Sequence, residues 1–279
     1  MNKINKPFLR WAGGKNWLAK DLAAALSGFS YDTYHEPFLG GGSIFFALDP
    51  EKAILSDLNG DLISAYSGLR DNPDAVIAQI KKWPVSEETY YEVRSLKPAD
   101  EVIRAARFIY LNRTSYNGIY RVNRRGEYNV PYGHNDGYRF DYERLKAASV
   151  ASKNAVFKIQ GFDESIDDIN TGDLVFLDPP YTVSHNKNGF IEYNKTLFSL
   201  EDQNRLKKFI DEVDAKGAHY ILTNAAHEAI LEIFKDESNV CLTVSRHCGL
   251  GGKNAKRGAI EEYIFTNILD LADWTTDGR

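Results

Sequence analysis

Tyr34-His35-Glu36-Pro37-Phe38-Leu39-Gly40-Gly41-Gly42-Ser43 runs into the apolar stretch Ile44 to Leu48. Lys52-Ala53-Ile54-Leu55-Ser56-Asp57 follows, and together these segments decide the fold. They read as a strand, a glycine-rich turn, the opening of a helix and a second strand that ends in a carboxylate. That order is the layout of a nucleoside-binding βαβ half. Glycine lets the backbone approach a ligand with no side chain in the way, and a carboxylate at the end of the second strand can accept both ribose hydroxyl protons. The turn is not a good dinucleotide fingerprint, because Phe45 stands where the third glycine belongs. A phosphate loop is also excluded at Trp11-Ala12-Gly13-Gly14-Lys15. Leu9 occupies the place of its first glycine, and Asn16 follows the lysine where a Ser or Thr would hold magnesium.

Further along, Leu174-Val175-Phe176-Leu177 reads as a buried strand leading into Asp178-Pro179-Pro180-Tyr181. A carboxylate, a rigid loop and an aromatic ring therefore stand at the carboxyl end of a strand, the edge at which open α/β sheets bind ligands. The lone pair of a planar exocyclic amino group, such as that of adenine, is conjugated into its ring. An ionised Asp178 and a neighbouring carbonyl can accept its two N–H bonds and free that lone pair. Proline suits such a loop because its φ is fixed and it has no N–H of its own. Tyr181 supplies a flat face for stacking a base. The plain alternative is a Pro-Pro turn with Tyr181 packed beneath it.

Strand–helix alternation continues outward from these two segments. Strands are expected at Ala155 to Gln160, Ala218 to Thr223, Val240 to Ser245 and Glu262 to Thr266, with helices at Leu200 to Lys216 and His227 to Phe234. This order implies an α/β fold with a mostly parallel sheet. Residues 67–149 break the rhythm. Helices are expected over Asp61 to Leu69, Pro73 to Lys82, Glu87 to Arg94 and Ala99 to Arg113. A β-hairpin is expected from Ile119 to Pro131, turning at Arg124-Arg125-Gly126. The chain thus divides into a core of residues 1–66 and 150–279 and an inserted subdomain of residues 67–149.

The 279 residues include 43% apolar and 26% charged residues, ordinary for a soluble globular protein. No apolar run reaches the length of a membrane span, and the N-terminal residues lack the apolar stretch of a signal peptide. Cys241 and Cys248 are the only cysteines, and the six histidines are scattered, so no structural metal is expected and a reduced, cytoplasmic setting is. The formal charge of −5 argues mildly against a nucleic-acid partner, but its distribution argues the other way. Six arginines and no acid lie between Arg104 and Arg125. Arg246, Lys253, Lys256 and Arg257 form a second acid-free patch. Arg104 and Arg107 have an alternative as the solvated face of a helix.

Taken in order, the motifs resemble those of the Dam-like, α-arranged DNA adenine-N6 methyltransferases. The resemblance rests on Phe8-Leu9-Arg10-Trp11-Ala12-Gly13-Gly14-Lys15, Glu36 to Ser43, Leu111-Asn112-Arg113, Tyr116-Asn117-Gly118, Arg121-Val122-Asn123, Asn129-Val130-Pro131-Tyr132-Gly133, and Asp178 to Tyr181. It implies a Rossmann-like methyltransferase sheet with an inserted helical and hairpin target-recognition subdomain. The implied cofactor is S-adenosylmethionine, which needs no metal. Position by position, Trp11, Lys15, Phe38, Gly40, Gly42, Ser43, Asp57, Phe162 and Asp178 would contact the cofactor. Asp178, Pro179, Pro180 and Tyr181 would act on the target base.

Modifying a base inside a duplex requires swinging it out of the stack. The resemblance makes Tyr116 the aromatic that fills or braces the vacated stack, with Asn117 beside it; its alternative is a ring packed on the preceding helix. Arg121 suits a bidentate guanine contact, and Asn123 and Pro131 share its DNA-facing segment. Arg113, Arg124 and Arg125 suit phosphates, and Arg10 lies close enough to Trp11 to read the base next to the target. Thr182 to Lys195 reads as a lid over base and cofactor. Two departures bear on specificity. Arg10 stands where relatives that recognise GATC often have Lys, and His134-Asn135-Asp136-Gly137-Tyr138 lacks the basic character common there. The expected activity is site-specific N6 methylation of adenine in double-stranded DNA, GATC being one candidate site, with a cognate restriction endonuclease as a candidate partner. The competing readings are a DNA-binding regulator with an inactive methyltransferase fold, cytosine-N4 or glutamine-amide methylation and, more distantly, a nicotinamide oxidoreductase.

Overall fold

A computed structural model describes residues 5–181, 198–247 and 259–274. Among the described residues seven strands form one sheet: β1 (Tyr34–Glu36), β2 (Ala53–Asp57), β3 (Ala155–Ile159), β4 (Leu174–Leu177), β5 (His219–Ala225), β6 (Val240–His247) and β7 (Ala259–Thr266). Their order is β3-β2-β1-β4-β5-β7-β6. Strands β1, β4 and β5 run parallel, while β7 pairs antiparallel with both β5 and β6. The fold is thus the expected α/β class with a mixed sheet. Sequence-adjacent β1 and β2 leave β4 to pair on the other side of β1, so the strand order reverses at β1. Ligands of open α/β sheets bind outside the carboxyl ends of the strands at such a reversal.

The strands expected outside residues 67–149 are all present, with shifts at their ends. The first stops at Glu36 rather than Phe38, since Pro37 has no N–H to continue a ladder. Strand β4 is buried on both faces, with every residue at most 1% exposed, as a continuous apolar run in a parallel sheet should be. Two helices were not anticipated, α1 (Asn16–Ala25) and α7 (Tyr142–Ala151). The start of α7 carries a legible signal, since the Asp141 side chain accepts from the Arg144 N–H.

By its contacts the chain forms two compact units. The first comprises residues 1–16, 39–51 and 55–159, and the second residues 17–38, 52–54 and 160–279. In the first lie α2 (Ser43–Leu48), α3 (Gly60–Asp71), α4 (Pro73–Lys81), α5 (Glu87–Ser95) and α6 (Glu101–Thr114), followed by α7. Ser86 caps α5 by accepting from the Thr89 N–H, and Pro73 opens α4, as their positions predict. Arg107 is half-buried rather than fully solvated. It donates to the carbonyls of Val93 and Arg94, satisfying the carboxyl end of α5, where a cation is favoured.

The expected hairpin is present but short. Val122 bridges Tyr128 antiparallel, flanked by backbone bonds from the Asn123 N–H to Glu127 O at 2.8 Å and from the Asn129 N–H to Arg121 O at 3.0 Å. Side chains reinforce this short pairing. Asn123 Oδ1 accepts from the N–H groups of Arg125 and Glu127 at 2.9 and 3.0 Å, closing the turn in which Gly126 takes φ 76°. Beneath it, a cluster of Tyr90, Val93, Tyr110, Leu111, Tyr128, Val130 and Tyr132 forms a small core. The phenol of Tyr90 donates to Val130 O at 2.9 Å and that of Tyr128 to Ile119 O at 3.0 Å, so the loop is pinned at its own carbonyls.

The second unit packs α8 (Leu200–Ala215) and α9 (Glu228–Phe234) around β4, β5 and Phe265, with Leu206, Phe209, Ile210, Val213 and Ile230 in its core. A buried carboxylate fixes the approach to β4. Asp173 accepts from the N–H groups of Thr33 and Asn170 and lies 2.9 Å from Nε2 of His35, which is 1% exposed. No described helix is long and apolar enough to cross a membrane. Among the described residues no His, Cys, Asp and Glu cluster suits a metal ion. The expected lid, Thr182 to Lys195, lies outside the described residues, as do Lys253, Lys256 and Arg257.

Candidate active site

In the first unit the site begins at the glycine turn. Leu39 donates to Ser56 O and Gly42 to Leu39 O, folding the chain back sharply before α2. Gly40 takes φ +46° and Gly42 φ +64°, a region that side chains disfavour. A Cβ on Gly40 would stand 2.8 Å from the Trp11 ring, and one on Gly42 3.0 Å from the Tyr66 hydroxyl, which itself donates to Gly40 O. Backbone and aromatic ring therefore touch, which only glycine permits. Ser43 opens α2 and is buried.

The Asp57 carboxylate ties the end of β2 to this turn. Its Oδ2 accepts from the Gly40 N–H at 3.1 Å and its Oδ1 from the Asn59 N–H at 2.9 Å. Burial raises its pKa above the usual aspartate value, while the N–H groups of Asn59 and Gly40 pull the other way. The Trp11 ring stacks on Tyr120 at 5.7 Å and on Phe108 at 6.5 Å. Lys15 is only 3% exposed, and its Nζ lies 3.4 Å from Gly13 O.

Asn112 joins three of the motifs and was given no role by the sequence. It is 1% exposed, accepts from the Arg10 N–H at 2.8 Å, and donates to Arg10 O at 2.7 Å and Gly118 O at 3.3 Å. Gly118 lies so close to Arg10 that a Cβ would meet its side chain at 2.6 Å. The signal was the Leu-Asn-Arg run itself: an Asn amid apolar helix positions needs partners.

On the next turn Tyr116 stands 53% exposed, its N–H donating to Pro131 O, and Asn117 takes φ 54°. The Tyr116 ring is thus presented outward instead of lying on α6. Arg121 is exposed, but its guanidinium is held. Nε donates to Asn129 Oδ1 at 2.8 Å and Nη2 to Asn129 O at 3.1 Å. Arg124 and Arg125 are exposed at the turn and Pro131 near its base, whereas both ends of the Asn123 amide serve the turn. Arg113 donates from Nε to the Tyr138 hydroxyl at 2.7 Å, and Arg104 pairs with Asp61.

The second unit carries the Asp178 to Tyr181 segment, directly after β4. The β4–β5 register sets Leu177 opposite Leu222, which brings the next residue of each strand together. The hydroxyl of Thr223, fully buried, donates to Asp178 Oδ1 at 2.9 Å. The Tyr181 hydroxyl donates to Glu262 Oε2 at 2.6 Å. Phe38 stacks on Phe162 at 5.4 Å, and Phe162, 7% exposed, also touches Phe198 and Phe209. Thr223 and Glu262 lay outside the sequence reading, because only the sheet brings β5 and β7 to this segment.

Chemically, the first unit offers a glycine turn with a buried carboxylate, and the second offers a fixed carboxylate followed by a proline-stiffened ring. Comparison with known proteins agrees. The sequence profile described as "D12 class N6 adenine-specific DNA methyltransferase" matches residues 11–247. The type II methyltransferase M1.LlaDCHI of Lactococcus lactis subsp. cremoris is 35% identical over 278 residues, covering 95% of this chain and 97% of its own. The type II methyltransferase M.MjaIII of Methanocaldococcus jannaschii is 36% identical, covering 79% and 84%. The DNA adenine methylase of Escherichia coli (strain K12) is 33% identical, covering 82% and 83%. These matches decide against the regulator, cytosine-N4 and oxidoreductase readings: the chain belongs to the D12 class of N6 adenine-specific DNA methyltransferases.

Proposed function

We propose that this enzyme methylates N6 of an adenine swung out of duplex DNA, using S-adenosylmethionine, at a short site with a guanine beside the target and a second guanine read by Arg121. The observation that carries this reading is Asp178 at the end of β4, one oxygen fixed by Thr223 and the loop behind it stiffened by Pro179 and Pro180. The residues of the glycine turn fit the cofactor. A carboxylate offers about four acceptor positions, and Asp57 gives one on each oxygen to the backbone, leaving others for ribose hydroxyls. Trp11, Lys15, Phe38, Gly40, Gly42, Ser43 and Phe162 would complete its contacts. When bound, the cofactor supplies an electrophilic methyl group on its sulfonium.

The protein's own part is to make the amino nitrogen nucleophilic. Asp178 accepts one N–H through its carboxylate, which Thr223 holds in place, and a carbonyl of the Pro-Pro segment accepts the other. The nitrogen lone pair is thereby withdrawn from the ring. Tyr181 stacks on the extruded base, and Tyr116, already exposed, occupies or braces the gap in the duplex. Residues 67–149 serve as the target-recognition insert on a catalytic body of 1–66 and 150–279. Asn129 occupies the Nε–Nη2 edge of Arg121, so the terminal Nη1–Nη2 edge remains for guanine O6 and N7. GATC satisfies this scheme, as do longer or degenerate sites. The lactococcal relative's name, a type II methyltransferase, supports a paired restriction endonuclease of the same specificity as partner.

Methylation of a randomised duplex library with labelled S-adenosylmethionine tests the proposal. Asp178→Ala should lower kcat by roughly 100- to 1000-fold, and Asp178→Asn, which keeps an acceptor oxygen, should lower it less. Near-normal turnover by the Ala variant would overturn the assignment.

A further inference from the structure

The Tyr181 hydroxyl donates at 2.6 Å to Glu262, which is 1% exposed on β7. That is a short O–H···O bond. Within β7, Glu262 shares a face with Ile264 and Thr266, both fully buried. It lies opposite Ala225 of β5 and Val244 of β6. An apolar side chain would fit such a position, and a carboxylate there is costly unless hydrogen-bonded. Packing alone therefore does not account for Glu262.

Its bond to Tyr181 has a counterpart one step earlier in the segment, where Thr223 holds Asp178. Both side chains are thus tied to other strands of the sheet, Asp178 to β5 and Tyr181 to β7. For Tyr181 the consequence is geometric. Pro180 limits the backbone at one end of the side chain, and Glu262 fixes the hydroxyl at the other, so the ring plane is set before any base arrives. Loss of that bond removes the restraint on the hydroxyl end of the ring.

We propose that Glu262 is a positioning residue for methyl transfer, holding the Tyr181 ring at the angle that receives the target base. This rests on the reading that Tyr181 stacks on that base. Glu262→Ala should lower kcat between about 10- and 100-fold, the scale of a misplaced reacting group, with the affinity for S-adenosylmethionine unchanged. Glu262→Gln, whose amide oxygen can still accept the phenol proton, should recover part of the loss. A duplex with 2-aminopurine at the target position supplies a spectroscopic readout, because stacking on a fixed ring quenches the extruded base. Its fluorescence in the ternary complex should rise in Glu262→Ala and in Tyr181→Phe.

The decisive measurement is the cycle of Tyr181→Phe, Glu262→Ala and the double variant. If the link is what matters, the double variant is no slower than the worse single one. Additive losses in kcat would overturn the proposal, as would an unchanged fluorescence in both single variants. Should Glu262→Ala fail to fold, Tyr181→Phe cuts the same bond with Glu262 in place, and wild-type kcat and fluorescence there would equally overturn it. Tyr181→Ala separates the two levels. If it leaves both methylation and fluorescence unaltered, the base-stacking reading itself falls, whereas a large effect there with an additive cycle rejects only the role of Glu262.

Discussion

In the proposed reading Asp57 serves fold and ligand together. Its carboxylate closes the glycine turn through the N–H groups of Gly40 and Asn59, and burial nonetheless holds its pKa above the ordinary value. A raised folded-state pKa favours folding below the unfolded value, and that contribution is lost as pH rises through the folded one. The ionised group at neutral pH is thus a burden that donor hydroxyls would relieve. Affinity for S-adenosylmethionine should accordingly weaken as pH falls, starting at higher pH than an exposed aspartate would cause. Asp57→Asn should bind more weakly at neutral pH and lose that pH dependence. Calorimetric titration across the acid range checks this; equal pH profiles for wild type and variant would show that Asp57 is not the titrating contact.

At the scale of elements, the Ile119 to Pro131 loop and the approach to β4 each add side-chain bonds to backbone pairing. Asn129 holds Arg121 through both its amide oxygen and its carbonyl. Arg121→Ala should cost about 1–3 kcal/mol at a single base position. Asn129→Ala should relax the choice at that same position, by about 1 kcal/mol, which selection from a randomised duplex library would measure. If Asn129→Ala slows all sequences alike, the bond is only structural. Asp173 is a purely structural case: it gathers Thr33, Asn170 and His35 in a buried cluster. Asp173→Ala should destabilise the fold by about 3 kcal/mol, read as a lower urea midpoint at unchanged slope.

Over the whole molecule, a net charge of −5 coexists with an acid-free run of arginines from Arg104 to Arg125. The structure sorts that run by task. Arg107 caps a helix, Arg104 meets Asp61, Arg113 meets Tyr138, and Arg124 and Arg125 stand exposed at the turn. Arg124 and Arg125 are the members of that run proposed as general phosphate contacts, with Arg113 as a further candidate through its terminal nitrogens. Replacing Arg124 or Arg125 with Ala should weaken every duplex alike and reduce the slope of log affinity against log salt by about 1. A change confined to one base position would instead make that arginine a base reader.

The sequence by itself determined the fold class, the glycine turn and the Asp178 to Tyr181 segment, because each rests on local rules. Four apolar residues read as a buried strand wherever they lie in the chain, and Gly40 and Gly42 announce backbone that no side chain tolerates. The helix starts at Pro73 and Ser86 were legible for the same reason. The hairpin was legible in its turn but its pairing is shorter than alternation suggests, since alternating residues cannot reveal that Asn123, Tyr90 and Tyr128 would supply many of its hydrogen bonds. Only the tertiary structure decided that Asn112 clamps Arg10, that Thr223 holds Asp178 and that Glu262 holds Tyr181. Those partners lie 102, 45 and 81 residues apart, and strand register and close packing, not local propensity, bring them within hydrogen-bond reach.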